Sequence, residues 1–445
     1  MMKKLISAIL LLGLGYLLYS WDRTPPAIEW SLENGSVVGE NATLQIEVSD
    51  SGRGLQSWSV VLSQQALEAV IVEKTFEVQQ APTSQTAEIE LSTLKQQFGL
   101  QDGTLRIRVQ VTDQPNLKFF DHTTGDERTF TLDSLPPALQ VRSGNHYIRQ
   151  GGAQIILYST GSETPHNSGV RVGDRSFRGY LVQPPQQNRY AALIGLNYRH
   201  SPETPIRAWA EDMAGNRSEV SVPHQILSAR FRQRRLNISS QFISKVAAEI
   251  FSRVSEVSAA PTAAETFIQI NRHLREINHQ QIEKLTSNSQ DHLLFDTPFM
   301  QMANTQVEAA FADERDYIYE GKVIDHQTHL GFDLASLARS PVDCANDGTV
   351  VWAGYLGIYG HCVLVDHGLG LGSLYGHLSS LDTRAGDVVK KGQSLGRTGE
   401  TGLAGGDHLH FTTLVQGVPV NPREWWDPKW VQQQVFDRLS PPAGE

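Results

Sequence analysis

The stretch His408-Leu409-His410-Phe411-Thr412-Thr413 places two histidines two residues apart in a run of apolar and β-branched residues. This composition favours a β-strand, in which residues i and i+2 point to the same side. The two imidazoles are therefore expected to reach one common point, with about 7 Å between their Cα atoms. A pair presented in this way can bind a metal ion together, or divide its work between a metal and a substrate.

A second arrangement of metal-ligand type lies upstream, in His329-Leu330-Gly331-Phe332-Asp333. Seven of the 15 histidines fall between His326 and His410, where an even distribution along the 445 residues would place about three. One histidine, one aspartate and a second histidine supply three nitrogen and oxygen ligands. A catalytic zinc site uses three protein ligands and keeps its fourth position open for water. The two arrangements together therefore predict a catalytic zinc site.

A third element, Ser373-Leu374-Tyr375-Gly376-His377-Leu378-Ser379, lies between the other two. The order of the three motifs resembles the LytM/lysostaphin family of zinc endopeptidases. Residues 342–348, 358–368 and 386–393 resemble the strand entry, the central hairpin and a tight turn of the same family. The resemblance extends over about residues 312–427. It implies a C-terminal antiparallel β domain of the LytM type, the duplicated hybrid motif fold.

The resemblance also implies a role for each site residue. His329, Asp333 and His410 resemble the zinc ligands of the family, with one Zn²⁺ per chain. His377 and His408 resemble its two catalytic histidines. Zinc lowers the pKa of bound water toward ~7, so an imidazole can take the proton and a second can hydrogen-bond the oxyanion. The implied substrates are the peptide bonds of peptidoglycan stem peptides or cross-links.

Upstream of this region the sequence contains an internal repeat. Pro25-Pro26-Ala27-Ile28-Glu29-Trp30 recurs as Pro136-Pro137-Ala138-Leu139-Gln140-Val141, and residues 107–113 recur as 206–212. Strand-like runs at 43–48, 58–62, 87–91, 155–159 and 191–196 alternate with turn residues. Short strands with frequent turn signals predict two β-sandwich, immunoglobulin-like modules. Such modules either bind the wall or a partner, or hold the C-terminal domain away from the membrane.

From Ser239 the hydrophobic period changes to that of amphipathic helices. The apolar positions of the first helix are Phe242, Ile243, Val246, Ala247, Ile250, Phe251 and Val254, and those of the second are Phe267, Ile270, Leu274, Ile277 and Leu285. His273 and His279 are six residues apart on the second helix, so they lie on different faces. They do not form the H-E-x-x-H pair of metalloproteases and are expected to face solvent.

These patterns together predict a mainly β, multidomain chain. Its expected parts are a membrane segment (1–21), two immunoglobulin-like modules (22–134 and 135–228), a two-helix neck (229–311), the LytM-type domain (312–432) and a tail (433–445). Cys344 and Cys362 both fall in the LytM-type domain but on none of its ligand positions. Two alternatives stay open for them, a disulfide between neighbouring strands and a pair of buried free thiols.

The N-terminal segment predicts the compartment. Lys3 and Lys4 precede an uncharged run, Leu5 to Trp21, and Asp22 follows it. This is the pattern of a secretory signal, and its bulky end favours an uncleaved anchor. The expected location is the inner membrane, spanned once, with the bulk of the chain in the periplasm. A cleaved signal followed by secretion is the alternative.

The amino-acid composition argues against one class of binding partner. The 38 basic and 48 acidic residues give a net charge of −10, which argues against a nucleic-acid partner. The expected partners are peptidoglycan peptides and, through the N-terminal helix, the inner membrane. Three other functions stay open: a catalytically silent LytM-type activator or binding protein of the cell wall, a zinc peptidase for peptides other than murein, and a wall-anchoring structural protein.

Overall fold

The computed structural model describes residues 24–114, 122–162, 164–182 and 188–440. The predicted membrane segment 1–21 lies outside these residues, and within them no helix is both long and apolar enough to cross a membrane. The fold is mainly β, with several separate sheets. Internal contacts divide the chain into two compact units, residues 1–136 with 211–217 and residues 137–210 with 218–445. The six-part division expected from the sequence stays a prediction.

The described part of the N-terminal unit contains two sheets. In sheet order they are Ala27–Trp30, Thr43–Ser49 and Ser84–Glu90, and then Val37–Val38, Thr123–Leu132, Gly103–Asp113, Leu55–Gln64 and Leu67–Thr75. Side chains alternate between buried and exposed, as in Thr43–Ser49, and the buried ones join one apolar core. The strand expected over 87–91 ends at Glu90, where the helix Leu91–Phe98 begins.

The second unit begins with the other β module. Its sheets are, in order, Tyr180–Leu181, Arg189–Gly195, Ala153–Ser159 and Gln140–Val141, then Arg175–Arg178, Asn167–Val172, Ile206–Glu211 and Arg217–Ser221, with His146–Arg149 parallel to His224–Leu227. The strand Ala153–Ser159 is buried along its whole length. The strands expected at 155–159 and 191–196 are thus present, one residue shorter at the end of the latter. The immunoglobulin-like topology of both modules stays a prediction.

The predicted helices are confirmed. The first is Ser240–Phe251, capped by the Ser239 hydroxyl, which accepts a hydrogen bond from the amide of Phe242. The second is a composite of Ala263–Ile268, a π-helical turn Gln269–Leu274, and Arg275–Leu285. We call residues Ser240–Leu285 the helical segment. Its apolar face packs on the C-terminal sheet in a shared core, so it is part of the second unit.

The C-terminal region is built on one large antiparallel sheet, which we call the central sheet. Its strands, in sheet order, are Gln306–Ala309, Phe332–Ala335, Leu409–Val415, Leu371–Leu378, His361–Gly368, Gly348–Tyr355 and Val388–Val389, and Val418–Val420 pairs with Leu409–Val415. A smaller sheet joins Gln233–Asn237, Asp313–Tyr319 and Lys322–His329, and another joins Pro341–Asp343, Ser394–Arg397 and Ser380–Leu381. Short helical turns follow at Pro422–Trp426, Pro428–Val431, Gln432–Phe436 and Asp437–Leu439.

The two cysteines belong to this region. Cys344 and Cys362 are both free and fully buried. The structure therefore bears out the second of the two alternatives left by the sequence, a pair of buried thiols. Burial raises the pKa of Cys344 to about 11, so this thiol stays protonated at neutral pH.

Candidate metal centre and active site

Three side chains from separate strands meet at one end of the central sheet. His329 ends the strand Lys322–His329, while Asp333 and His410 lie on adjacent strands of the central sheet and face each other in its antiparallel register. Oδ1 of Asp333 lies 2.9 Å from Nε2 of His329 and 2.9 Å from Nδ1 of His410. The two imidazole nitrogens are 3.0 Å apart. The strand register thus creates the His/Asp/His group that could hold a metal.

The hydrogen bonds of the outer ring nitrogens fix the tautomers. Nδ1 of His329 donates to the carbonyl of Ala310 at 3.0 Å, which leaves a lone pair on Nε2. The hydroxyl of Thr412 donates to the carbonyl of Leu330 at 2.9 Å and can therefore accept from Nε2 of His410 at 3.0 Å. This arrangement leaves a lone pair on Nδ1 of His410. Such outer hydrogen bonds orient metal-binding histidines in general.

The group therefore presents three acceptor atoms to one point. With these tautomers, neither facing nitrogen carries a hydrogen to share with the other or with the Asp333 carboxylate. The guanidinium of Arg315 donates a hydrogen bond to Oδ2 of Asp333 at 2.9 Å, which favours the ionised carboxylate. Three buried acceptors at hydrogen-bond distance repel one another unless a cation lies between them. Two imidazoles and a carboxylate are a suitable donor set for zinc.

Gly331 permits the close approach of these groups. A Cβ atom at this position would lie 2.5 Å from Oγ1 of Thr412 and 2.7 Å from the imidazole of His410. The glycine within the His329–Asp333 motif is therefore a packing requirement of the site. Only a residue without a side chain leaves His410 in its present position.

Two further histidines border the group. Nδ1 of His377 donates to the carbonyl of Thr401 at 2.8 Å, and Nδ1 of His408 donates to the carbonyl of Gly406 at 2.8 Å. Each ring therefore has Nε2 as its free nitrogen, and Nε2 of His408 lies 3.5 Å from Oδ1 of Asp333. The two ring centroids are 4.8 Å apart. As expected, His408 and His410 reach a common point, although the regular strand begins only at Leu409.

The backbone and environment of His377 are unusual. Its φ is +62°, a left-handed conformation that non-glycine residues adopt rarely and that tends to occur at functional sites. Burial, together with the neighbouring His408, lowers the pKa of His377 well below its usual value. The neutral imidazole can then accept a proton.

These five residues line a pocket of about 100 Å³, together with residues from outside the sequence motifs. The latter are Arg275, Arg315, Tyr317, Ile358, Tyr359, Leu403 and Gly405. The ring of Tyr359 lies 5.5 Å from that of His410. Nη2 of Arg315 donates to Oδ2 of Asp333 at 2.9 Å. Although burial disfavours its charged form, the nearby Asp333 raises the pKa of Arg315 above its usual value.

The helical segment forms hydrogen bonds to the loops that line the pocket. Oδ1 of Asn278 accepts from the amide of Ile358 at 2.9 Å, and Oε1 of Glu249 accepts from the amide of Gly402 at 2.9 Å. Gly402 follows Thr401, whose carbonyl orients His377. The segment therefore supports the loop that positions one of the predicted catalytic histidines.

The sequence interpretation missed parts of this pocket. Arg275 and Arg315 carried no motif, and Tyr359 lay in the predicted central hairpin without an assigned role; only the fold brings all three to the site. His279 was expected to face solvent, but its Nε2 is buried and burial lowers its pKa to about 4. Its place beside an apolar helix face at 270, 274 and 277 was the available signal. His326, by contrast, is exposed and pairs with Asp316.

Three metal-ligand atoms that meet at the end of the central sheet, beside two further histidines, are the groups a metal-dependent hydrolase requires. Residues 327–422 match the sequence profile of Peptidase family M23. The chain therefore carries a peptidase family M23 domain in its C-terminal part. The profile includes all five predicted site residues, but neither Arg275 nor Arg315.

Two named relatives are similar to a part of the chain of comparable length. The chain is 38% identical over 94 residues to the DD-carboxypeptidase/endopeptidase Mpg of Neisseria meningitidis serogroup B, covering 21% of this chain and 22% of that protein. It is 38% identical over 93 residues to the peptidoglycan DD-endopeptidase ShyA of Vibrio cholerae, again covering 21% and 22%. The chain thus matches about a fifth of the length of these relatives. A solved zinc-containing peptidase of Vibrio cholerae aligns with 86% of this chain and 85% of its own, at 14% identity and a TM-score of 0.27.

Proposed function

We propose that the protein is an extracytoplasmic zinc metalloendopeptidase that cleaves peptide bonds in the stem peptides or cross-links of peptidoglycan. The observation that carries the proposal is the convergence of three acceptor atoms, from His329, Asp333 and His410, on one point. A cation removes their mutual repulsion, and the donor set suits zinc. The M23 domain and the peptidoglycan endopeptidase among its relatives support the reaction and the substrate.

In this proposal His329, Asp333 and His410 hold one zinc ion per chain. When bound, zinc would polarise the scissile carbonyl and make a water molecule acidic near neutral pH. The free Nε2 atoms of His377 and His408 then divide the remaining work. One ring, as the neutral imidazole, accepts the proton of the attacking water at Nε2. The other, protonated at both nitrogens, donates a hydrogen bond from Nε2 to the oxyanion. The carbonyls of Thr401 and Gly406 accept hydrogen bonds from Nδ1 of the two rings, so Nε2 is the nitrogen available for both roles.

The location is also part of the proposal. Peptidoglycan lies outside the cytoplasmic membrane, and the uncharged run Leu5 to Trp21 after Lys3 and Lys4 is suited to export. We propose that this run anchors the chain in the inner membrane, with the bulk of the chain in the periplasm. The β modules then act as a spacer between membrane and peptidase domain.

Digestion of purified peptidoglycan sacculi by the zinc-loaded full chain tests the function. Separation of the released muropeptides should show that cross-linked species disappear and monomeric species appear. The same protein with His410→Ala should release nothing above background. His326→Ala is the matched control, because His326 belongs to the same domain but is exposed and outside the pocket.

Intact sacculi after digestion by a zinc-loaded, folded wild-type protein would contradict the proposal. Activation of a separate amidase by that inactive protein would favour the non-enzymatic role. Cleavage of unrelated peptides with intact sacculi would favour the alternative peptidase role.

A further inference from the structure

The pocket contains two positive charges that no step of the proposed hydrolysis uses. Arg275 and Arg315 both line it, and both lie outside the residues matched by the family profile. The only acidic side chain that lines the same pocket among the described residues is Asp333. Two guanidinium groups thus face one carboxylate, even before a zinc ion adds its own charge.

Among the described residues Arg275 has no carboxylate partner, and an asparagine holds it in place. It begins the helix Arg275–Leu285, directly after the π-helical turn, and such turns often occur at functional sites. Its Nε donates to the carbonyl of Asn271 at 2.9 Å and its Nη2 donates to Oδ1 of Asn271 at 2.7 Å. Asn271 is itself fully buried and donates to Asp325 at 2.9 Å. A neutral, rigid anchor therefore presents the charge of Arg275 to the pocket.

Arg315 is the second positive charge, and one of its hydrogen-bond donors is unused among the described residues. One of its nitrogens, Nη2, binds Asp333, and its side chain is only 16% exposed. Its Nε is buried and has no hydrogen-bond partner among the described residues. A buried donor without a partner carries an unfavourable desolvation cost. A bound acceptor would remove this cost.

The excess of positive charge and the unused hydrogen-bond donors favour the binding of an anion in this pocket. Guanidinium groups bind carboxylates by paired, charge-assisted hydrogen bonds, which are stronger in a partly buried pocket than in water. A pocket of about 100 Å³ accommodates a group of this size. Stem peptides of peptidoglycan are anionic because they carry free carboxylates. The chemistry of the pocket therefore matches a feature of the proposed substrate.

We propose that Arg275 and Arg315 form a subsite for a free carboxylate of the substrate next to the scissile peptide bond. This inference rests on the proposed function and deepens it, because it assigns a specificity to the same pocket. The enzyme should prefer peptides in which that carboxyl is free over the same peptides in which it is amidated. The amide has nearly the same size but lacks the charge that both arginines recognise.

The test uses one pair of substrates, a cross-linked stem-peptide dimer with a free carboxyl beside the cross-link and the same dimer with that carboxyl amidated. Hydrogen bonds to charged groups contribute about 1.5–3 kcal/mol, so the full zinc-loaded chain should favour the free acid by about 10- to 100-fold in kcat/KM. Arg275→Gln should reduce this preference to less than about threefold, by losing activity on the acid alone. Arg315→Lys should retain zinc and lose part of the preference.

Lys284→Gln is the matched control. It removes one positive charge from the same helix, and nine residues of helix place it on the face opposite Arg275. Its preference for the acid should equal that of the wild type. A purely structural role of Arg275 would lower kcat/KM equally for both dimers. Equal hydrolysis of the two dimers by the wild type, or an unchanged preference in Arg275→Gln, would overturn the subsite.

Binding of the same two dimers, measured by calorimetry on the zinc-loaded full chain, separates this inference from the proposed function. Should neither dimer be hydrolysed, tighter binding of the acid that is lost in Arg275→Gln would support the subsite and reject the peptidase function. Equal binding of acid and amide would reject the subsite.

Discussion

His410 and His367 are two buried histidines on strands of the same central sheet, and they differ in their partners. Burial lowers the pKa of each to about 4. Both nitrogens of His367 are satisfied, by the carbonyl of Asp347 at 2.7 Å and by the hydroxyl of Ser373 at 2.7 Å. Nδ1 of His410 instead faces the acceptors of His329 and Asp333.

The two histidines show that burial alone does not indicate a role in metal binding. A buried histidine with two protein partners stabilises the fold, whereas one with a lone pair aimed at other acceptors requires a cation. The pKa alone does not distinguish the two. The partner of the second ring nitrogen does, because it fixes which nitrogen faces the site.

The largest effect is expected when the acceptor group loses a member. His410→Ala or Asp333→Ala should abolish both zinc binding and hydrolysis, because a three-ligand site that loses one ligand no longer holds an ordered metal. Elemental analysis of the purified protein and digestion of sacculi measure the two properties. Stoichiometric zinc together with full activity in either variant would refute the ligand assignment.

The next effect concerns the two histidines that border the group. His377→Ala and His408→Ala should keep one zinc per chain and lose turnover by about 10²-fold or more, the usual size of a proton-transfer or oxyanion contribution. Zinc content and kcat measured on the same preparations give the comparison. A metal-free variant would mean that a ligand and a catalytic group have been exchanged.

A smaller effect is expected from the packing of the site. Gly331→Ala adds a Cβ that would lie 2.5 Å from Oγ1 of Thr412, so it should displace His410 and weaken zinc binding. Competition with a chelator should show a loss of about 10- to 100-fold, the range found when outer partners of metal ligands are removed. Gly406→Ala is the control, since its Cβ would meet no atom within 4 Å. Equal zinc affinity in the two variants would refute the packing argument.

The smallest effect on the site is expected at His367. His367→Ala leaves the hydroxyl of Ser373 and the carbonyl of Asp347 without this partner, so it should lower the free energy of unfolding by about 1–3 kcal/mol and more if the cavity stays open. Zinc content and kcat of the folded protein should be unchanged. Urea unfolding and elemental analysis check both statements. Loss of zinc from the folded variant would contradict the conclusion that His367, unlike His410, stabilises the fold without contributing to the metal site.

Sequence reasoning reached the metal group because its residues lie in short local motifs. The spacing of His408 and His410 already placed both side chains on one side, and Asp333 follows His329 by four residues. The structure adds the register that sets Asp333 opposite His410. The helices of the helical segment were also predictable, since their apolar periodicity is strong over more than two turns.

The rest of the pocket depends on contacts between distant parts of the chain. Arg315 reaches Asp333 from a different sheet, and Arg275 reaches the pocket from a helix that packs on the loop 356–360. No local pattern marks either arginine, because each is one of many charged residues until the fold places it. The helix Leu91–Phe98 was missed because Leu91 continues the alternation of the preceding strand.

Diffraction from crystals of the zinc-loaded full chain at the zinc absorption edge tests the central claim most directly. The account predicts one anomalous peak per chain, in contact with Nε2 of His329, Oδ1 of Asp333 and Nδ1 of His410. Nδ1 of His329 and Nε2 of His410 should keep their hydrogen bonds to Ala310 and Thr412. A peak at any other group of residues, or no peak in a folded protein soaked with zinc, would contradict it.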